Sequence, residues 1–100
     1  DSGRVISGPK VSDQLPVEPI IKSIKEAHEL LAVGLIALDH TGKPCLHSHG
    51  VLARDGKVTG GCLRLGVKTW LVGEVVITEL LGLESKRLPD LQSQFSLLNP

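Results

Sequence analysis

The residue types able to do chemistry are concentrated in one stretch: Cys45-Leu-His47-Ser-His49, followed across Asp55-Gly56 by Gly60-Gly-Cys62. Two imidazoles and a thiolate make a ligand set for a borderline divalent cation, Zn first, with Ni, Co, Cu and Fe also compatible. Side chains alternate along an extended strand, so His47 and His49 face the same way. Asp-Gly between two β-prone runs is a strong hairpin signal, because a type I′ turn needs positive φ at both central residues. A two-residue loop there pairs Arg54 with Lys57 and, counting back, sets His49 opposite Cys62. Directly opposed Cβ atoms lie about 4.5–5.5 Å apart and a diagonal neighbour such as His47 about 7–8 Å away. From those positions side chains can converge on one ion at Zn–N of about 2.0–2.1 Å and Zn–S of about 2.3 Å. Three protein ligands leave a coordination position open, as in catalytic rather than structural zinc sites. The plainer alternative is a half-exposed polar strand face beside a small core cysteine.

Register decides between the two, since a bulge at Gly60-Gly61 or a one-residue slip would turn Cys62 to the opposite face. Cys45 shares the face of His47 and is either a fourth ligand or a core thiol. A Cys45–Cys62 disulfide is disfavoured, because the hairpin offsets the two positions too far for a bridge. Glu74 interrupts the apolar run Leu71-Val-Gly-Glu-Val-Val-Ile77. A carboxylate in a buried strand must find a partner or shift its pKa. Glu74 is therefore a candidate general base or supporter of a metal-bound imidazole, or an ion-pair partner of Arg64 or Arg87. His28 and His40 are read as solvent-facing, Asp55 as a turn residue, and Trp70 as core or subunit interface.

The surrounding elements must come from one domain, 1–100, since the chain has room for a single small core. Lys and Arg total 11 and Asp and Glu total 11, which counts against a dedicated nucleic-acid binder. Phe95 and Trp70 are the whole aromatic complement, so no base-stacking platform is present. The longest apolar run, Leu30 to Leu38, is half the length of a bilayer-spanning helix. The sequence opens Asp1-Ser-Gly3 without a signal-peptide pattern and contains no Met, which suggests a processed product or a piece of a longer chain. Two cysteines form no disulfide framework, and a reduced, cytoplasmic setting is the default.

Composition and periodicity give strands at Arg4 to Ser7, Leu30 to Leu38, Cys45 to Arg54, Lys57 to Leu65, and an edge strand at Phe95 to Leu98. Thr69 to Leu81 reads as a central strand covered on both faces, from its β-branched density. Asp39 to Pro44 and Glu84 to Arg87 read as turns. The spacing of Ile20, Ile21, Ile24, Ala27 and Leu31 predicts an amphipathic helix.

The run Gly42-Lys-Pro-Cys-Leu-His-Ser-His-Gly-Val-Leu-Ala-Arg-Asp-Gly-Lys-Val-Thr-Gly-Gly-Cys-Leu63 resembles the plant and prokaryote conserved (PPC) domain family. That family's pattern is a Gly-x-Pro turn, His-x-His on a strand, an acidic-Gly turn, and Gly-Gly followed by His or Cys. Gly73-Glu-Val-Val-Ile-Thr-Glu-Leu80 is similar to its long strand, and Arg87, Asp90 and Phe95 to Leu98 to its ending, so the likeness runs from about Gly8 to Pro100. The resemblance implies an α+β domain, mostly antiparallel sheet with one or two short helices, assembling as a homotrimer. It also implies a metal site at His47, His49 and Cys62, with a binding or regulatory role; a metal-dependent enzyme using Glu74 as proton acceptor is the alternative. Plant members act in DNA-binding proteins through adjoining AT-hooks, and no AT-hook occurs here. Two departures stand out. The family's opening strand-helix-strand has no counterpart ahead of Gly3, so that sheet edge needs another cover if the unit is absent. The likeness also makes His28 to Gly34 strand, which confines the helix to about Val17 to Ala27.

Overall fold

The structure is a computed structural model and describes residues 3–99. Its organising feature is the hairpin that Asp55-Gly56 dictates. Both residues take positive φ, 50° and 71°, as a type I′ turn requires. Strands β4 (Pro44–Arg54) and β5 (Lys57–Leu63) leave this turn in continuous register, Arg54 against Lys57 through His49 against Cys62, with no bulge at Gly60-Gly61. Strand β3 (Glu29–Leu38) pairs along the whole of β4, from Glu29 opposite Ala53 to Leu38 opposite Pro44. The turn between them is tied by Asp39, whose carboxylate accepts hydrogen bonds from the Thr41 and Lys43 amides and the Thr41 hydroxyl.

Strands β1 (Gly3–Pro9) and β2 (Pro19–Ile24) add to the far side of β5, and short β6 (Lys86–Pro89) and β7 (Ser96–Asn99) close the opposite end. The seven strands form one sheet in the order β2-β1-β5-β4-β3-β6-β7. All neighbours are antiparallel except β3 and β6, which run parallel and meet where Leu38 faces Lys86.

Two expectations are corrected. The fold is not α+β: among the described residues there is no helix, and the elements form a single mixed sheet, antiparallel as expected at every pairing except that of β3 with β6. The helix expected at Val17 to Ala27 is instead β2, which pairs with β1 through Ile21 opposite Ile6. Its isoleucines satisfy a helical period and an extended strand alike, and β-branching favours the strand once β1 offers an edge. Glu26, at a φ of 65°, then breaks any helical continuation.

The second correction concerns Thr69 to Leu81. It lies in no ladder, and the segment between β5 and β6 runs as an extended, exposed arm instead of a doubly covered strand. Val76 is 95% exposed and Trp70 76%, so Trp70 is not in the core of this chain. The arm begins by crossing Gly3, where Val67 packs close, and then stands off the sheet. The intervening space is about 3180 Å³, lined by Leu30, Ala32, Ile36, Val72 and Leu80 among others. Beyond its single meeting with β6, the outer edge of β3 has no strand beside it among the described residues.

Little apolar surface is buried: Val5, Leu52 and Cys62 are the buried apolar residues. Alternation and register place Val5 and Leu52 on one face of the sheet and Cys62, with His47 and His49, on the other. No helix of the described residues is long and apolar enough to cross a membrane.

Candidate metal centre

Cys62 owes its position to three strands. It lies opposite His49 on β4 and opposite Ile6 on β1, which fixes the thiol on the face carrying both histidines. The approach of β1 is close because Gly61, at φ 146°, has no side chain, and a Cβ there would fall on the backbone carbonyl of Ile6. The Ser7 hydroxyl donates to the Gly60 carbonyl at 2.8 Å and tightens the same junction. Glycine beside Cys62 thus serves a close backbone approach.

Two residues apart on β4, the imidazoles of His47 and His49 meet edge to face, with ring centroids 5.0 Å apart and planes at 66°. Their Nε2 atoms are 3.1 Å apart. Together with the Cys62 sulfur, one ligand atom from each residue lies within 4.8 Å of the others. Around a tetrahedral zinc, bond lengths of about 2.0–2.3 Å set ligand-to-ligand edges of about 3.3 Å for N···N and about 3.6 Å for N···S. The nitrogen pair already stands near its edge, and the sulfur needs to close by no more than about 1.2 Å, within reach of a rotamer adjustment. The donor set therefore fits a metal ion. Cys62 is buried and the two histidines are exposed, so the thiol forms the floor and the imidazoles the open side.

The electrostatics favour neutral imidazole. Partial desolvation first, then the positive charge of Arg87, followed by His49 and Arg64, holds His47 below the ordinary histidine value of 6.5. Metal binding needs the deprotonated ring nitrogen. Arg87 reaches this neighbourhood from β6. Lys86 pairs with Leu38 in the parallel ladder, so alternation puts Arg87 on the face of Leu35, and Leu35 is opposite His47. In the sequence Arg87 stands out as an ion-pair candidate for Glu74 and as part of the stretch similar to the family's ending; its place on the face of the histidines depends on a pairing distant in the chain.

The remaining expected residues lie elsewhere. Cys45, half-buried opposite Ala37, is a free thiol outside the donor group, and Cys62 is likewise unbridged. Glu74 is exposed on the arm and lines the space beneath it, which none of His47, His49 and Cys62 lines. Neither Arg64 nor Arg87 forms an ion pair with it among the described residues. His40 is exposed, whereas His28 is half-buried, its Nδ1 3.2 Å from the Glu26 carbonyl.

A β-sheet domain presenting two histidines and a cysteine from adjoining strands is the class that fold and site define. The profile of the Plants and Prokaryotes Conserved (PCC) domain matches residues 3–81, and the chain belongs to this family. The match begins ahead of the expected Gly8 and ends at Leu81, so β6, β7 and Arg87 lie outside it. Comparison with curated proteins and with solved structures gives no match.

Proposed function

We propose that this PCC domain is an oligomeric metal-binding domain, with His47, His49 and Cys62 holding a divalent transition ion of the zinc class in a binding or regulatory role. The observation that carries this reading is the gathering of three metal-competent donor atoms, one from each residue, within 4.8 Å of one another. When bound, such an ion supplies Lewis acidity at one position left open by three protein ligands. The chain's own part is to fix the donors: β1 sets the thiol, β4 sets the imidazoles, and the lowered His47 pKa keeps its ring ready to ligate near neutrality. Glu74, the carboxylate suggested for proton transfer, lies on the arm, and a binding role is therefore favoured over an enzymatic one.

Surface arithmetic supports the self-association part of this reading. The chain exposes 8445 Å². A folded monomer of 10.7 kDa exposes about 5,500 Å². The excess, about 2,900 Å², is the size of an obligate interface. The radius of gyration of 15.1 Å likewise exceeds the about 13 Å of a compact domain this long. An unpaired β-branched arm (Val72, Val75, Val76, Ile77) and the open edge of β3 are complementary needs, which a second copy meets by strand addition. The homotrimer implied by the family likeness is the proposed assembly.

Elemental analysis of protein purified without added metal tests the site, and light scattering tests the assembly. About one zinc-class ion per chain and a mass of three chains are expected. Failure to take up zinc even on addition would overturn the metal reading; a stable monomer would overturn the association reading.

A further inference from the structure

We propose that the open position at His47, His49 and Cys62 receives a small oxyanion of the carboxylate or phosphate class, with a second oxygen accepting hydrogen bonds from the Arg87 guanidinium. This rests on the metal reading above and names the class of ligand the site takes.

Arg87 is 8% exposed, the one charged residue buried among those described. Its Nε is buried without a hydrogen-bond partner among the described residues. Its remaining contact among the described residues is a long 3.5 Å donation from Nη1 to the Ser96 carbonyl. The ion pairs among the described residues, Lys10–Glu18 and Arg54–Glu26, do not involve it. A guanidinium withdrawn from water without an anion is costly, whereas one paired through two parallel N–H···O bonds is among the strongest polar contacts a protein makes. Its rigid fork of donors matches a carboxylate or phosphate.

Position links this unmet cation to the donors. Register through β6, β3, β4 and β5 puts Arg87 on the face that carries His47, His49 and Cys62. A divalent ion with one thiolate and two neutral imidazoles keeps a net single positive charge. Arg87 and Arg64 add to it, and no carboxylate belongs to the donor group. An anion answers both demands at once, completing the ion's coordination and pairing the buried guanidinium.

The test uses the full chain loaded with Co(II), whose visible absorption reports changes at the ion. Acetate and inorganic phosphate are titrated separately, with chloride as the control for ionic strength. Saturable spectral change with an oxyanion and not with chloride is expected, and the tighter of the two probes identifies the class. Arg87→Gln should keep one Co(II) per chain and weaken oxyanion binding by about tenfold or more, the value of a charge-assisted hydrogen bond. Arg87→Lys, which keeps charge and length but not the fork, should bind with intermediate affinity and carries the comparison if Arg87→Gln does not fold. Absence of any oxyanion response, or equal affinity in wild type and both variants, would overturn the proposal. A wild-type chain that takes up no Co(II) would refute the metal reading itself, before any anion is added.

Discussion

Replacing Cys62 by serine removes the sulfur and leaves the hairpin almost unchanged in volume. The register fixes the serine oxygen on the same inward path, opposite His49. Serine's C–O bond is shorter than cysteine's C–S bond, which adds to the gap of at most about 1.2 Å that the sulfur has to close. The hydroxyl is also a poor ligand near neutrality, because it does not ionise there, whereas a thiol bound to metal does. Loss of a group that merely supports a ligand costs about 10–100-fold in metal affinity, so loss of the ligand itself should exceed the upper figure. Competition with a chelating dye gives the affinity, and Co(II) substitution gives an independent signature, a near-ultraviolet sulfur-to-cobalt band present in wild type and absent in Cys62→Ser. An unchanged affinity, or a wild-type cobalt spectrum lacking the sulfur band, would mean that the thiol does not ligate.

Other expected outcomes concern the elements around the site. Gly56→Val places a β-branched residue at φ 71° and should cost roughly 1–2 kcal/mol, seen as a lower melting temperature; an unaltered melt would rule out the type I′ turn. Val76→Asp, at a position 95% exposed within one chain, should leave the single-chain fold intact yet shift light-scattering mass toward the monomer; unaltered assembly would remove the arm from the interface. Asp39, held below 3.8 first by the Thr41 hydroxyl and then by the Lys43 amide, should stabilise its turn above that pH and lose this contribution as pH falls through the lowered value. A carboxyl-carbon NMR titration with a midpoint at or above 3.8 would contradict it.

What could be read from the sequence was local. Asp55-Gly56 specifies its turn within two residues, and alternation carries that turn outward to His49 and Cys62 without information from elsewhere. The isoleucines of β2 could not be assigned by spacing, because the same positions suit a helix stripe or a strand, and only the edge of β1 decides. Thr69 to Leu81 has the composition of a central strand but no partner strand among the described residues, and pairing is a property of two segments. Arg87 stayed outside the site for a related reason: it arrives through the one parallel contact, between Leu38 and Lys86, which no turn signal announces.

The seam at Gly61 makes the thiol's placement dependent on the first strand of the chain. With Ile6 lying against a residue that has no side chain, and Ser7 fastened to the Gly60 carbonyl, β1 braces the position that the hairpin register gives Cys62. Clipping near Gly8 or Pro9 would release that brace while sparing every donor. Cation retention would then act as a gauge of whether the amino-terminal ribbon is intact, and its loss would precede visible unfolding of the hairpin.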